Sequence, residues 1–88
     1  MKIFCIKLLQ YLIKENLDAP IRSITITDLR KALPEQERKA YSTTWRHVQR
    51  LLQNGYVESQ LEDGISDLYF ITEKGRKFCE SLYTNNYE

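Results

Sequence analysis

Residues 42–57 separate apolar from polar side chains at the spacing of an α-helix. Successive helical residues turn by about 100°, which places an apolar set on one side: Tyr41, Trp45, Val48, Leu51 and Leu52. The opposite side collects hydrogen-bonding groups: Ser42, Thr43, Arg46, His47, Arg50 and Gln53. A hydroxyl of Ser42 or Thr43 is expected to cap the start, and Asn54-Gly55 to end the helix, because glycine adopts the left-handed conformation without strain. The pattern predicts an amphipathic helix. Trp45 flanks the apolar side of this helix and is therefore expected in the core.

The first helix is predicted over Lys2–Asn16 and has a wide apolar surface. Its apolar side chains span an arc of roughly 220°: Phe4, Cys5, Ile6, Leu8, Leu9, Tyr11, Leu12 and Ile13. A helix that packs on one side of a small domain needs about half of that arc. The surplus predicts a second subunit as a further burial partner, unless elements of the same chain cover both sides. The residues expected at a dimer interface are Phe4, Cys5, Leu8, Leu9 and Leu12.

The segment between these two helices predicts a short strand and another helix. Pro20 keeps the connector before it from being helical, and the β-branched run Ile24–Ile26 predicts a single edge strand. Thr27 is expected to cap a helix over Asp28–Leu33. The polar segment Pro34–Tyr41 is long enough to hold an extra helical turn.

A β-hairpin and a closing helix follow. Tyr56–Leu61 and Asp67–Ile71 are joined through Asp63-Gly64, a strong turn signal. Thr72 is expected to cap the final helix. The apolar stripe of that helix is spaced to pack against another helix: Phe78, Cys79, Leu82 and Tyr83. The order of elements predicts a single α+β domain, mostly α, over residues 1–88.

The charges are distributed unevenly along the 88 residues, although the net charge is only +1. Residues 22–55 carry seven Lys and Arg against three acids, whereas residues 56–73 carry five acids and no cation. A positive block centred on the polar helix is typical of a protein that binds a nucleic-acid groove. Lysines interrupt the apolar start and no run is long enough to span a bilayer, so we expect a cytoplasmic protein without a signal peptide or membrane partner.

The chain offers few groups for catalysis or metal binding. It has one histidine, and its two cysteines, Cys5 and Cys79, lie near opposite ends without metal-ligand spacing. No nucleophile with a base at recognisable spacing and no phosphate-cradling glycine loop are present. We therefore expect no enzymatic activity, no cofactor, no metal and no small-molecule ligand. Two reduced buried thiols are the main expectation, with a disulfide as the alternative.

Two segments carry a family resemblance. The stretch Ser-Thr-Thr-Trp-Arg-His-Val-Gln-Arg-Leu-Leu-Gln-Asn-Gly-Tyr-Val and the later Leu-Tyr-Phe-Ile-Thr-Glu-Lys-Gly-Arg-Lys-Phe resemble the recognition helix, wing and closing helix of PadR-like winged helix-turn-helix regulators, and more loosely of MarR-like ones. The resemblance covers residues 41–79. It implies a winged helix-turn-helix with a two-stranded wing, a possible third short strand, and terminal helices that build a homodimer.

Double-stranded DNA is the partner that both the polar helix and the resemblance favour. Arginine reads guanine edges in the major groove and glutamine reads adenine, so Arg46, Arg50 and Gln53 are expected to contact bases. His47 is expected to contact a base or a phosphate. The residues expected to bind phosphates are Arg22, Arg38, Lys39, Ser42 and Thr43. By resemblance, the protein is expected to act as a homodimer on a pseudo-palindromic operator. The dimer interface is expected to combine the residues of the first helix given above with Phe78, Cys79 and Leu82 of the last helix.

The acidic hairpin departs from the resemblance. Winged domains commonly place a basic wing on DNA, whereas the predicted hairpin and its flanks contain only acids: Glu58, Glu62, Asp63, Asp67 and Glu73. Like-charge repulsion would weaken contact with phosphates. Either the wing stays off the DNA or it meets a protein. The alternative function is therefore a protein-interaction or assembly module, for example in replication or partition, with little DNA binding.

Overall fold

Four α-helices and one β-hairpin make up residues 1–62 and 66–85, the part of the chain that the computed structural model describes, with side chains described for residues 1–60 and 67–82. The helices are α1 (Ile3–Lys14), α2 (Ile26–Ala32), α3 (Tyr41–Gln53) and α4 (Glu73–Asn85). The strands are β1 (Val57–Glu62) and β2 (Ser66–Ile71), and a 3-10 turn, Glu35–Glu37, precedes α3. This order confirms the predicted fold class and the extra turn. The predicted hairpin turn at Asp63-Gly64 lies outside the described residues.

Helix α1 is the centre of the hydrophobic core. Its buried side chains are Phe4, Cys5, Leu8, Leu9 and Leu12. They pack with buried residues of the other elements: Leu29, Val48, Leu51, Val57, Tyr69, Ile71 and Cys79. The same chain therefore covers most of the wide apolar arc, because α3, α4 and β2 all pack against α1. The expectation that these five residues form a dimer interface is wrong, since their surface is already used within one chain.

Helix α2 begins earlier than predicted. Its cap is Thr25, whose hydroxyl oxygen accepts the backbone N–H of Asp28 at 3.1 Å, whereas Thr27 is an exposed residue inside the helix. Ile26 is the first helical residue, so no edge strand forms over 24–26. Only Ile24 pairs with the sheet, through two backbone hydrogen bonds of 2.8 and 3.0 Å with Tyr69. The early cap leaves a single residue available for pairing.

The start of α3 lacks the expected hydroxyl cap, whereas its end is as predicted. Ala40 stands at the cap position without a side-chain hydrogen bond, and the helix includes Ser42 and Thr43. Thr44 is fully buried and donates its hydroxyl to the Ala40 carbonyl at 3.0 Å. At the other end Gly55 has a φ of 77°, the left-handed conformation expected of the stop.

Thr72 and Gly75 join the end of α3 to α4. The Thr72 hydroxyl oxygen accepts the Gly75 N–H at 3.0 Å, which confirms the predicted cap. The same hydroxyl donates to the Gly55 carbonyl oxygen at 2.6 Å, and the Thr72 N–H bonds the Tyr56 carbonyl oxygen at 3.0 Å. These bonds hold α4 against the turn that ends α3.

The hairpin places alternate residues against the core. Val57 pairs with Ile71 and Ser59 with Tyr69 on the face toward α1 and α3, where Val57, Tyr69 and Ile71 are buried. Glu58 on the other face is exposed. Within the described residues, no helix combines the length and apolar character needed to cross a bilayer.

Candidate nucleic-acid interface

The polar side of α3 is open to solvent, as its sequence predicts. Ser42, Arg46, Arg50 and Gln53 are exposed, and the half-buried Thr43 and His47 lie on the flank nearest α1. An Arg46 guanidinium nitrogen donates to the Thr43 hydroxyl oxygen at 3.3 Å. The helix therefore presents a ridge of hydrogen-bond donors, which is the arrangement required to enter a major groove.

A basic concavity lies between this flank and the start of α1. It has a volume of about 320 Å³, and its lining residues are Lys2, Thr43, Arg46, His47 and Arg50. Four of the five can carry positive charge and the fifth supplies a hydroxyl, so the concavity suits an anion such as a backbone phosphate. Sequence reasoning did not include Lys2, because it lies 41 positions before Thr43 and only the packing of α1 on α3 brings them together.

The ring of His47 is held at the edge of this concavity. Its Nδ1 lies 2.8 Å from the Thr43 carbonyl oxygen, so Nδ1 carries the hydrogen and donates it. The edge of the ring packs against Phe4, with centroids 5.0 Å apart and planes at 83°. The Cys5 thiol contacts the His47 carbonyl oxygen at 3.9 Å. These contacts fix the ring so that Nε2 is on the side away from its own backbone.

Two of the predicted phosphate ligands have their guanidinium groups bound within the chain. Arg38 donates to the carbonyl oxygens of Arg30, Lys31 and Leu33 at 2.8 to 3.2 Å, at the end of α2 where helical carbonyls lack their usual partners. Arg22 binds Asp18 at 2.8 Å, and its hydrogen bond lowers the pKa of that carboxyl. Neither arginine lines the basic concavity.

Lys39 lies on the α1 side of α3. Its ammonium nitrogen stands 5.3 Å from the centroid of the Phe4 ring, the same ring that packs against His47. The side chain remains exposed. Lys39 therefore extends the positive surface of the concavity along the start of α1.

The opposite flank of α3 faces the hairpin and has a different character. The Gln49 amide donates to the Tyr69 hydroxyl at 3.1 Å, and that hydroxyl donates to Asp67 at 3.2 Å. Burial raises the pKa of Tyr69, which keeps the hydroxyl protonated.

On the same flank Tyr41 is 50% exposed and Trp45 45% exposed. The placement of Trp45 in the core is wrong, because Thr44 takes the buried position one residue earlier.

The outer face of α1 carries a second apolar stripe. The stripe borders the buried residues at helical spacing and consists of Ile3, Ile6 and Ile13, the last of which also packs against the core. Ile3 is 72% exposed, and Ile6 and Ile13 are half-buried. On α4 the predicted stripe is divided: Cys79 is buried, whereas Phe78 and Leu82 are half-buried and Phe78 stacks on Tyr56 at 4.5 Å. Of the predicted interface residues, Phe78 and Leu82 keep exposed surface. The side chain of Tyr83, the last residue of the predicted stripe, lies outside the described residues.

Both cysteines are free and buried. Burial raises the pKa of each thiol, so both stay protonated at neutral pH, which makes them poor nucleophiles. Over residues 1–62 and 66–85 the structure contains no group of three His, Cys, Asp or Glu side chains placed to hold a metal ion.

Comparison with known proteins shows the fold. No protein family model matches the sequence, and no curated protein matches it. Among solved structures, TubR from Bacillus megaterium pBM400 superposes with a TM-score of 0.75 at 14% identity, over 88% of this chain and 80% of that chain. F-93 of SSV1 gives 0.67 at 25% identity, over 99% and 89%. A possible HxlR family transcriptional factor from Thermoplasma volcanium GSS1 gives 0.68 at 21%, over 92% and 65%. The PadR-like resemblance stays a prediction.

Proposed function

We propose that the protein is a sequence-specific double-stranded DNA-binding transcription regulator that acts as a homodimer on a pseudo-palindromic site. The basic concavity beside the exposed polar side of α3 is the observation that carries the proposal. A groove-reading helix needs base-reading side chains and adjacent cations that bind phosphates, and α3 has both. The similarity to a possible HxlR family transcriptional factor supports the same class of function.

The charges decide how the duplex lies on the protein. Lys2 and Lys39 extend the positive surface of α3 toward α1, whereas the hairpin flank carries Glu58 and Asp67 without a cation. A duplex with its dense phosphate charge is attracted to the first flank and repelled by the second. We therefore place the DNA across α3 and the start of α1, with the hairpin off the duplex. Arg46, Arg50 and Gln53 then face the bases, with Ser42 at the groove edge.

The dimer in this proposal uses the outer stripe of α1. Ile3, Ile6 and Ile13 form an apolar row that one chain leaves partly exposed, and Phe78 and Leu82 of α4 supply further apolar surface. A second copy that packs against the same row would bury it symmetrically. Two copies related in this way would present two α3 helices to half-sites about one helical turn apart.

Duplex binding is expected to depend steeply on salt. A protein that neutralises about four phosphates loses affinity with a slope of about −3.6 in log K against log salt concentration. This slope corresponds to a loss of more than about 100-fold between 50 and 200 mM. The measurement is selection of bound duplexes from a random library, followed by fluorescence anisotropy of the selected sequence at several salt concentrations. Absence of duplex binding at 50 mM salt would end the proposal.

A protein-interaction module is the second candidate function. The exposed Tyr41 and Trp45 stand beside the hairpin flank that carries acids and no cation, a surface suited to a protein with basic side chains. This candidate predicts no duplex binding at any salt concentration, so the anisotropy measurement separates the two functions.

The substitution Ile6→Glu is expected to convert the dimer into a monomer of 10.5 kDa. A carboxylate in the centre of the outer stripe would have to be buried without a partner, which costs several kcal/mol. The matched control is Ile21→Glu, the same change at a residue that is 87% exposed and outside the stripe. Light scattering gives the solution mass and circular dichroism checks the fold. A folded Ile6→Glu variant with the same mass as Ile21→Glu would exclude this interface.

A further inference from the structure

We propose that the basic concavity is a phosphodiester site in which Lys2 and His47 hold one DNA backbone phosphate, and that duplex binding there takes up a proton on His47. The inference rests on the proposed function and assigns to this flank of α3 a role different from base reading. Lys2 then contributes to DNA binding, and the affinity for DNA depends on pH.

The position of the two residues favours a phosphate over a base. His47 is half-buried and packs against Phe4 of α1, so its ring sits back from the ridge formed by Arg46 and Arg50. Lys2 is the cap residue just before α1 and lies beside that ridge. In a major groove the bases face the centre of an entering helix and the phosphates line the two edges. Side chains on the flank therefore meet the backbone.

The residues that line the concavity include several cations and no acid. Lys2, just before α1, and Arg46 and Arg50 of α3 bring three cations to one open space of about 320 Å³. The Thr43 hydroxyl at the same site already accepts a hydrogen bond from Arg46, so its own hydrogen is available to an oxygen atom. A phosphodiester relieves the repulsion among the cations and accepts hydrogen bonds from Lys2 and the Thr43 hydroxyl.

The hydrogen bond of His47 decides which protonation state can bind the phosphate. Because Nδ1–H donates to the Thr43 carbonyl, the neutral ring presents a lone pair at Nε2, which repels a phosphate oxygen. Protonation converts Nε2 into a charged donor. The imidazolium therefore binds the phosphate and the neutral ring does not, so that the complex holds the proton more tightly than the free protein.

The other groups around His47 do not reverse this direction. From α1 it faces the Cys5 thiol, which burial keeps neutral by raising its pKa. The residues before α1 bring Lys2 to the concavity and the Met1 ammonium close enough to Cys5 to act on it electrostatically. From α3 it faces Arg46 and Arg50, and Lys39 lies across the Phe4 ring. Each of these groups is a cation or neutral, so the negative charge that favours the imidazolium comes from the phosphate. Affinity must therefore rise as pH falls through the range in which imidazole titrates, about pH 5 to 8.

The test compares the wild type with His47→Gln in duplex binding at pH 6 and pH 8, at one salt concentration and with the duplex selected above. The wild type is expected to bind severalfold more tightly at pH 6 than at pH 8, because only the imidazolium can donate a hydrogen bond from Nε2 to the phosphate. His47→Gln keeps a donor at every pH, so its affinity should change by less than about 1.5-fold. An equal pH response in both proteins would overturn the role of His47 while leaving DNA binding established.

Lys2 is tested by Lys2→Gln against Lys14→Gln, the same change at the opposite end of α1. The two positions are about 18 Å apart along the helix, and Lys14 is exposed at its last turn. Lys2→Gln should weaken duplex binding about fivefold and reduce the salt slope by about 0.9, as loss of one phosphate contact does. Lys14→Gln should leave both nearly unchanged. Equal effects of the two variants would remove Lys2 from the site.

A second measurement does not depend on DNA. Because the sequence contains one histidine, the His47 ring signals in a proton NMR spectrum can be assigned without ambiguity. Titration with inorganic phosphate at constant pH and ionic strength should shift those signals in the wild type and much less in Lys2→Gln. Phosphate shifts without any duplex binding would end the proposed function and keep the anion site. Absence of shifts together with tight duplex binding would end the site and keep the function.

Discussion

The substitution Gly75→Ala is expected to destabilise the protein by about 3 kcal/mol or more, the largest effect of any single change considered in this chain. A Cβ atom at this position would lie 2.9 Å from Cγ1 of Ile71 and closer still to the carbonyl oxygen of Tyr56. That carbonyl is fixed by its hydrogen bond from Thr72, so it cannot move aside without breaking the junction between α3 and α4. Urea denaturation followed by circular dichroism measures the change in the free energy of unfolding.

The matched control is Gly55→Ala, on the other side of the same junction. Gly55 has positive φ, but a Cβ there would approach only the Lys74 side chain, at 3.6 Å. Its cost is the left-handed conformation alone, about 1 to 2 kcal/mol. If Gly75→Ala proves no more damaging than Gly55→Ala, α4 does not pack as closely on Tyr56 as the structure shows.

The double substitution Arg46→Ala/Arg50→Ala is expected to reduce duplex affinity more than about 100-fold at 100 mM salt. Each bidentate arginine contact to a base contributes about 1 to 3 kcal/mol, and the two guanidinium groups also supply charge on the same ridge. The single variant Arg50→Ala should also relax preference at one base position, whereas Lys39→Ala should weaken all sequences equally. Affinity and selected sequence are both measured for each variant.

The control for this prediction is Arg22→Ala. It removes the same guanidinium, but from a residue whose charge is paired with Asp18 and which does not line the basic concavity. Its duplex affinity should stay within about twofold of the wild type. A loss at Arg22 as large as that at Arg50 would place the DNA on a different side of the protein.

The acidic hairpin lies on the flank of α3 that we expect to stay off the DNA. In the structure Glu58 is exposed and Asp67 is engaged by the Tyr69 hydroxyl, which also accepts from Gln49 of α3. Through the hydrogen bond between Gln49 and Tyr69, the hairpin therefore supports α3 on the side opposite to α1. We expect it to support the position of α3 without binding phosphates, which accounts for a wing without a single Lys or Arg.

The sequence by itself determined the elements and the turns between most of them. The periodicity of α1 and α3, the stop at Gly55, the two strands and the cap at Thr72 all depend on contacts within a few residues, and such local sterics and hydrogen bonds can be read along the chain. The errors at that level were shifts at helix starts and the expected edge strand Ile24–Ile26, of which only Ile24 pairs with the sheet. Thr25 rather than Thr27 caps α2, and its hydroxyl oxygen accepts the backbone N–H of Asp28 three residues later.

Only the tertiary structure decided which apolar residues face the core and which polar residues share a site. The wide arc of α1 predicted two partners, but periodicity could not tell that one chain covers Leu8 and Leu9 and leaves Ile3 exposed. Trp45 lies beside the buried side of α3 and was placed in the core for that reason, although Thr44 is the residue that packs there. Lys2 and His47 line the same concavity because α1 packs on α3, a contact between residues far apart in the sequence. Such contacts depend on how whole elements fit together, and no pattern within either segment contains that information.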